Sequence, residues 1–405
     1  MKIAIIGRGF ITDLNGVNRF VFTLADGLNE LGHEVHVLSY SCHNISPSKL
    51  SSFSQRIFDA ESKTEIHTLV GATTTKPTWS RIALTWMHVG SKLLKELSVD
   101  AVVINGIIPL RSDAIKLAVN HGIFLGDFRF MTGLRRRFYL EMARTLYQHN
   151  VDIPVCVSTS LKKELKKYLG INFVVVPLPL KFDLFHNATL ESRSNEILHV
   201  GTRPEKNVET SIRTIRMLRE KMKIDARLVV VGPKNTYIKN LMKRYENLSS
   251  GYIDFRLDIS SVELRRLLAR SRALLLPSRY EAFSYAVLEA FANGLPVVVS
   301  EAVPSELVSD GRNGFRVQSL EVPPYAARLA SLFTNNALWK AISADAVETA
   351  RDYAHLKIAE KYTDMIARAQ TLAGEPFGSL ARSRRYAKRS RHEILERFKN
   401  QPTIP

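Results

Sequence analysis

Cysteine is scarce in this chain. Only Cys42 and Cys156 occur among 405 residues, one in a polar stretch and one in the apolar run IPVCVS. That argues against a disulfide framework and favours a reducing compartment. No metal-ligand spacing occurs either, so no metal site is expected. Acidic residues are outnumbered: 39 Asp and Glu face 57 Lys and Arg, for a net charge of +18. An excess of that size predicts an anionic partner, such as nucleic acid, a phosphate-bearing ligand or an acidic membrane surface. Long apolar runs are missing. No window approaches the ~20 apolar residues of a membrane span, and the apolar run in MKIAIIGRGF is too short for a signal peptide. The expected location is cytoplasmic, with any membrane contact made peripherally. What remains is an ordinary globular composition, 45% hydrophobic and 24% charged, at a length that predicts two or three domains.

A glycine is missing as well. The apolar run IAIIG leads into GRGF, and Gly7 and Gly9 fit the first two places of the dinucleotide fingerprint G-x-G-x-x-G. The third place holds Thr12. The second strand ends in Ser39 and Tyr40, where an acidic residue would hold a ribose. A nicotinamide cofactor is therefore not expected.

The chain alternates short apolar runs with helical periodicity. Strands are predicted at 3–7, 33–40, 66–70, 101–105, 123–127, 155–158 and 173–177, with helices at 18–31, 80–97 and 160–169 among them. The stretch 178–195 contains proline and then turns polar without a clean period, as a linker does. Alternation then restarts, with strands at 197–201, 227–232, 252–256, 273–277, 296–300 and 314–318. This pattern predicts α/β architecture built from right-handed βαβ units in mainly parallel sheets. The expected domains are 1–185, 186–365 and a helical basic tail, 366–405. From Arg382 to Lys399 the tail carries eight Arg or Lys against two Glu.

Three stretches carry chemistry. NGVNRF (15–20) precedes a helix whose N-terminus suits an anion, with Gly16 allowing close backbone approach. HVGTRPEKNVE (199–209) puts Arg203 and Lys206 after a strand and beside a helix start, a pairing that suits a diphosphate. LLLPSRYEAFSYAVLEAFANGLPVVVS (274–300) runs from a buried strand through a loop into a helix. Ser284 is the expected N-cap, accepting from Ala286 or Val287 N–H, and Gly294 and Pro296 end the helix. Glu281 then lies one turn before the helix and Glu289 in its second turn. Free N–H groups lie between two carboxylates. That arrangement matches a sugar nucleotide, in which hydroxylated rings flank a diphosphate.

These residues resemble the retaining glycosyltransferases of the GT-B fold, of the family 4 type (glycosyl transferases group 1), from residue 1 to about 370. The most specific part is 276–314, where Glu281 and Glu289 match the E-x7-E signature and VPSELVSDGRNGF resembles the segment that follows. The resemblance implies two Rossmann-like doubly wound domains facing across a cleft, and transfer of a hexose-type sugar from a UDP- or GDP-linked donor. The donor is a substrate, and no cofactor or metal is implied. Glu281 would bond the donor sugar, with backbone from Ala282 through Phe283 and Ser284 to Tyr285 beside it. Glu289 would hold the ribose. Arg203 and Lys206 would neutralise the leaving diphosphate, and Gly16 would contact a phosphate. Gly232 and Arg256 would wall the nucleobase pocket. His121, in AVNHGIF, occupies the place of the family's active-site histidine.

This sequence departs from the family pattern in several places. Asn15 replaces the first loop glycine, Thr202 pushes Arg203 one place later, and Ser284 replaces a glycine. Asn105 stands where a histidine is common, leaving His121 without that neighbour. The acceptor would be a glycan or a polyprenyl-lipid-linked glycan. Basic runs at 134–144 and 161–170 add the expectation of peripheral contact with an anionic membrane. A sugar-nucleotide epimerase or a phosphorylase of the same fold is the alternative. A nucleic-acid-binding protein is the rival from another class, and no motif supports it.

Overall fold

The computed structural model describes residues 1–7, 16–41, 65–70, 79–122, 132–185, 189–246 and 251–374. The GRGF loop with Gly9, Thr12 and Asn15, Cys42, the strand predicted at 123–127 and residues 375–405 of the basic tail lie outside them. The chain forms two compact units, Met1–Pro179 with His355–Pro405, and Leu180–Ala354.

The first unit holds a seven-stranded sheet in the order β3-β2-β1-β4-β5-β6-β7. The strands are β1 (Lys2–Ile6), β2 (Glu34–Ser41), β3 (Glu65–Val70), β4 (Ala101–Asn105), β5 (Ile115–Asn120), β6 (Ile153–Cys156) and β7 (Val174–Val175). Every neighbouring pair is parallel. Ile5 sits opposite Val37 on one side and Val103 on the other, and all three are fully buried. A strand covered on both faces needs an unbroken apolar run, and IAII is one.

Strand β5 is absent from the sequence expectation because Lys116 interrupts its apolar run. The structure ties that lysine down: Nζ donates to Ser112 O at 2.8 Å and Ala114 O at 3.2 Å. Asp152 lies 3.7 Å away.

Helix α1 (Gly16–Glu30) links β1 to β2 and buries Phe20, Val21, Leu24 and Leu28. Next come α2 (Trp79–Thr85), a π-turn (Trp86–Gly90) and α3 (Ser91–Leu97). They are followed by α4 (Gly133–Asn150) and α5 (Thr159–Leu169).

The second unit repeats the winding with six parallel strands in the order β10-β9-β8-β11-β12-β13. They are β8 (Glu196–Val200), β9 (Arg227–Gly232), β10 (Ile253–Leu257), β11 (Ala273–Leu276), β12 (Val297–Ser300) and β13 (Phe315–Val317). Its helices are α6 (Val208–Glu220), α7 (Thr236–Arg244), α8 (Ser261–Arg270), α9 (Tyr285–Ala292), α10 (Val322–Thr334) and α11 (Asn336–Arg351). Ile197, Leu228, Val230, Leu275, Val298 and Trp339 belong to one buried core.

The polar stretch before β8 is not free of this core. Arg193 is buried, donates to Leu268 O, Ser271 O and Asn293 O, and lies over the Trp339 ring at 5.1 Å. Burial pushes its pKa down to about 10.

The chain leaves the second unit at Ala354, earlier than the division 186–365 places it. Helix α12 (His355–Gly374) packs on α1. A Cβ at Gly27 would lie 2.9 Å from Ala359 Cβ and from His355 O, so the missing side chain sets the close approach. His355 Nε2 lies 3.1 Å from Glu30 Oε1, and His33 Nε2 lies 2.9 Å from Thr363 Oγ1. Among the described residues, no helix is long and apolar enough to cross a membrane.

Candidate active site

In each sheet the winding reverses beside the first strand of the unit, so loops leaving adjacent strands diverge there. A ligand site is expected at such a point, at the carboxyl ends of the strands. In the second unit, β8 and β11 are these neighbours.

The loop after β8 is built from below. His199 is fully buried, with Nδ1 2.8 Å from Ser211 Oγ and Nε2 2.9 Å from Gly201 O. A carbonyl only accepts, so Nε2 carries the proton and Nδ1 accepts from Ser211. Burial lowers the imidazole pKa to about 4, which keeps it neutral. Gly201 has φ +112°, and a Cβ there would lie 2.8 Å from Lys206 Cγ. Glycine therefore meets two demands at once: the left-handed backbone and room for the lysine stem. Asn207, at φ +57°, closes the turn, and its Nδ2 donates to Pro277 O at 3.1 Å. Arg279 N donates to Glu205 O at 2.7 Å. These two bonds lock the β8 loop to the β11 loop.

That lock brings Lys206 and Glu281 together across 75 positions of sequence, with Nζ 2.6 Å from Oε1. Ser278 Oγ donates to the same oxygen at 2.7 Å. The two side chains are only 14% and 8% exposed. A pair removed from water this far is costly to break from one side, since the remaining charge would be buried alone.

Helix α9 starts four residues after Glu281. Ser284 takes the extended N-cap backbone but makes no side-chain cap bond, contrary to expectation. Its Oγ is buried and has no hydrogen-bond partner among the described residues. The first helical bond shown is Leu288 N to Ser284 O, so the N–H groups of 285–287 precede it and suit an anion. Glu289 is 4% exposed and lies on the buried side of α9, which rules out an ordinary solvent-facing glutamate. Phe283 is buried edge-on to Tyr353 at 5.6 Å and anchors the loop, while Ala282 and Tyr285 are half-buried. Gly294 at φ +62° ends the helix as expected.

Gly232, at the end of β9, reaches the same loop. A Cβ there would lie 2.8 Å from Thr202 side-chain atoms. Thr202, the residue that displaces Arg203, is fully buried and donates to Pro233 O at 2.6 Å. Arg203 is exposed and pairs with Glu205 at 2.9 Å, so it is not drawn into the Lys206–Glu281 pair. Arg256 bonds Asp254 at 2.7 Å and reaches Glu263 at 3.5 Å. The bond to Asp254 raises its pKa. Its strand runs beside β9, with Leu257 opposite Gly232.

In the first unit, His121 follows β5. Its Nε2 lies 2.8 Å from Asn105 Oδ1, and Asn105 Nδ2 donates to Ile6 O at 2.8 Å. The sequence left His121 without a histidine partner at 105. The structure gives it Asn105 itself, fully buried and oriented by β1. Phe20 lies edge-on to the imidazole at 4.7 Å. Phe20 is one turn into α1, whose first residue is Gly16, so the α1 N-terminus and His121 share one end of the sheet.

Sequence reasoning missed His199, Asn105 and Ser278. The signal for the first two was present, a polar residue inside or ending a wholly apolar strand. Among the described residues, no group of three His, Cys, Asp or Glu side chains could hold a metal ion.

Known glycosyltransferases match this chain in sequence and fold. The family model for glycosyltransferase family 4 matches residues 14–183, and that for glycosyl transferases group 1 matches residues 182–351. A glycosyltransferase of Methanocaldococcus jannaschii is 25% identical over 224 residues, which is 54% of this chain and 59% of that one. Sucrose-phosphate synthase from Thermosynechococcus elongatus superposes with TM-score 0.73 at 15% identity, covering 92% of this chain and 99% of that one. Anabaena HepE in complex with UDP and glucose gives TM-score 0.70 at 15% identity, covering 91% and 100%. The chain spans less than two thirds of the length of the curated relatives it matches, and its two matched regions place it with the family 4 type of glycosyltransferases, in the two-domain Rossmann-like GT-B fold.

Proposed function

We propose that this enzyme moves a hexosyl group from a nucleoside-diphosphate sugar to a hydroxyl of a glycan or polyprenyl-lipid-linked glycan, with retention of anomeric configuration. The observation that carries this reading is the buried Lys206–Glu281 pair, locked at the β8/β11 switch point just before the α9 N-terminus. UDP with glucose on Anabaena HepE supports the donor class. In this reading the bond from the anomeric carbon to the diphosphate oxygen breaks as the acceptor oxygen bonds that carbon on the same face. The acceptor proton passes to the departing phosphate. Negative charge grows on that phosphate, and preorganised positive charge there is the largest available help. Lys206 and the N–H groups of residues 285–287 supply it, and Arg203 adds positive charge from the same loop as Lys206. Glu281 bonds sugar hydroxyls, and Glu289 holds the ribose. His121, within the first unit, is a hydroxyl-binding imidazole in this reading. No metal or organic cofactor is needed.

The test is incubation with a panel of UDP-, GDP- and ADP-sugars plus lipid extract, with and without EDTA, and assignment of the product anomer by NMR. Transfer with retention, surviving EDTA, is expected. Glu281→Ala and Lys206→Ala should each lose roughly 100-fold or more in turnover while keeping the wild-type circular dichroism spectrum. Near-full transfer by either variant would remove its assigned role. Free epimerised sugar nucleotide without acceptor product would favour the epimerase alternative.

A further inference from the structure

We infer that the start of α4, together with α5, forms a docking surface for an acidic phospholipid bilayer. This is independent of the sugar-transfer reading. Helix α4 packs by its second half: Ala143 and Tyr147 are buried, and Tyr147 meets the Phe173 ring edge-on at 4.9 Å. Its first turns do the opposite. Leu134 is 85% exposed and Phe138 is 69% exposed. They are four residues apart, so they share one face of the helix.

Helix α5 buries Leu161, Leu165 and Leu169 and leaves Lys163, Lys166 and Lys167 exposed. The two helices meet at this end. Arg136 lies 5.7 Å over the Tyr168 ring, Lys167 lies 6.0 Å over it, and Arg144 Nε donates to Leu169 O at 3.1 Å. Together α4 and α5 carry eight Arg and Lys against two Glu. One of those glutamates, Glu141, is bonded by Arg144 at 2.7 Å.

The surface thus offers an exposed large aliphatic and an exposed aromatic side chain on one helix, with an excess of positive charge on that helix and its neighbour. The charge alone would suit any polyanion. Two exposed apolar side chains gain nothing from a phosphate backbone in water, but they gain from the acyl boundary of a bilayer. Lysines on the neighbouring helix α5 are attracted by acidic headgroups. The occupant that satisfies both is an anionic membrane.

The test uses the full chain and sucrose-loaded vesicles, either phosphatidylcholine alone or equal parts phosphatidylcholine and phosphatidylglycerol. Wild type should sediment with the acidic vesicles and stay in solution with the neutral ones. Partitioning should fall roughly fivefold for each of Lys163, Lys166 and Lys167 changed to Gln. Leu134→Ser with Phe138→Ser should lower it roughly tenfold. Because these side chains face solvent, the variants should melt with wild type. Phe138→Trp reads the patch directly: relative to wild type, its added emission should shift to the blue on acidic vesicles. The inference is overturned if acidic vesicles leave the chain in solution, or if it sediments with the Phe138→Trp emission unmoved. Retention on heparin without vesicle binding would also overturn it, by pointing to a soluble polyanion.

Discussion

His199 shows how a single side chain can matter without touching a ligand. It fastens the Gly201 carbonyl and Ser211 of α6 at once, so the turn carrying Lys206 inherits its position from a ring in the core. That arrangement holds only while the ring is neutral. Burial places its folded pKa at about 4, below the ordinary value of 6.5. Between those values the unfolded chain binds more protons than the folded one. Stability from this group is therefore full above about 6.5 and is lost as pH falls toward 4. The size is on the order of 3 kcal/mol. Urea unfolding of wild type and His199→Gln on both sides of that window should give a distinctly shallower acid loss for the variant. Identical slopes would show that another group dominates.

At the scale of elements, the contact between α1 and α12 turns on Gly27. In an exposed helix, changing glycine to alanine stabilises by about 1 kcal/mol. Here the added methyl would meet backbone and Ala359 at 2.9 Å, and neither can rotate away. Gly27→Ala should instead be destabilising, and Gly27→Leu more so, by about 1–3 kcal/mol. Thermal melting decides the sign, and an upward shift for the alanine variant would mean that α12 slides freely on α1. The same scale explains what could be read from sequence. Strands β1, β4, β8 and β11 are buried on both faces, so their apolar runs were plain. Strand β5 was hidden because Lys116 sits at its start, where the carbonyls of Ser112 and Ala114 and the nearby Asp152 carboxylate make that lysine tolerable.

At the scale of the molecule, two units share one winding, and the charge of +18 must be reconciled with a named ligand. Nucleoside diphosphates should raise the melting temperature at physiological salt, UDP or GDP most, because a ligand bound only to the folded state stabilises it by mass action. A random DNA duplex should leave it unchanged. The opposite pattern would return the charge to nucleic acid.

Composition and periodicity by themselves determined the α/β class, the restart after residue 195 and the helix that follows Glu281, because burial periodicity and chain punctuation are local properties. The E-x7-E stretch also singled out Glu281 and Glu289 as candidates. Tertiary structure alone decided the partnerships. Lys206 meets Glu281 because the loops after the adjacent strands β8 and β11 are bonded to each other. Asn105 supports His121 because β4 and β5 are neighbours, and Ser284 lacks the cap bond its position invites. Helix α12 joins the first unit because Gly27 leaves room for it. Each of these depends on which strands and helices come to lie side by side, and local pattern does not encode such distant pairings.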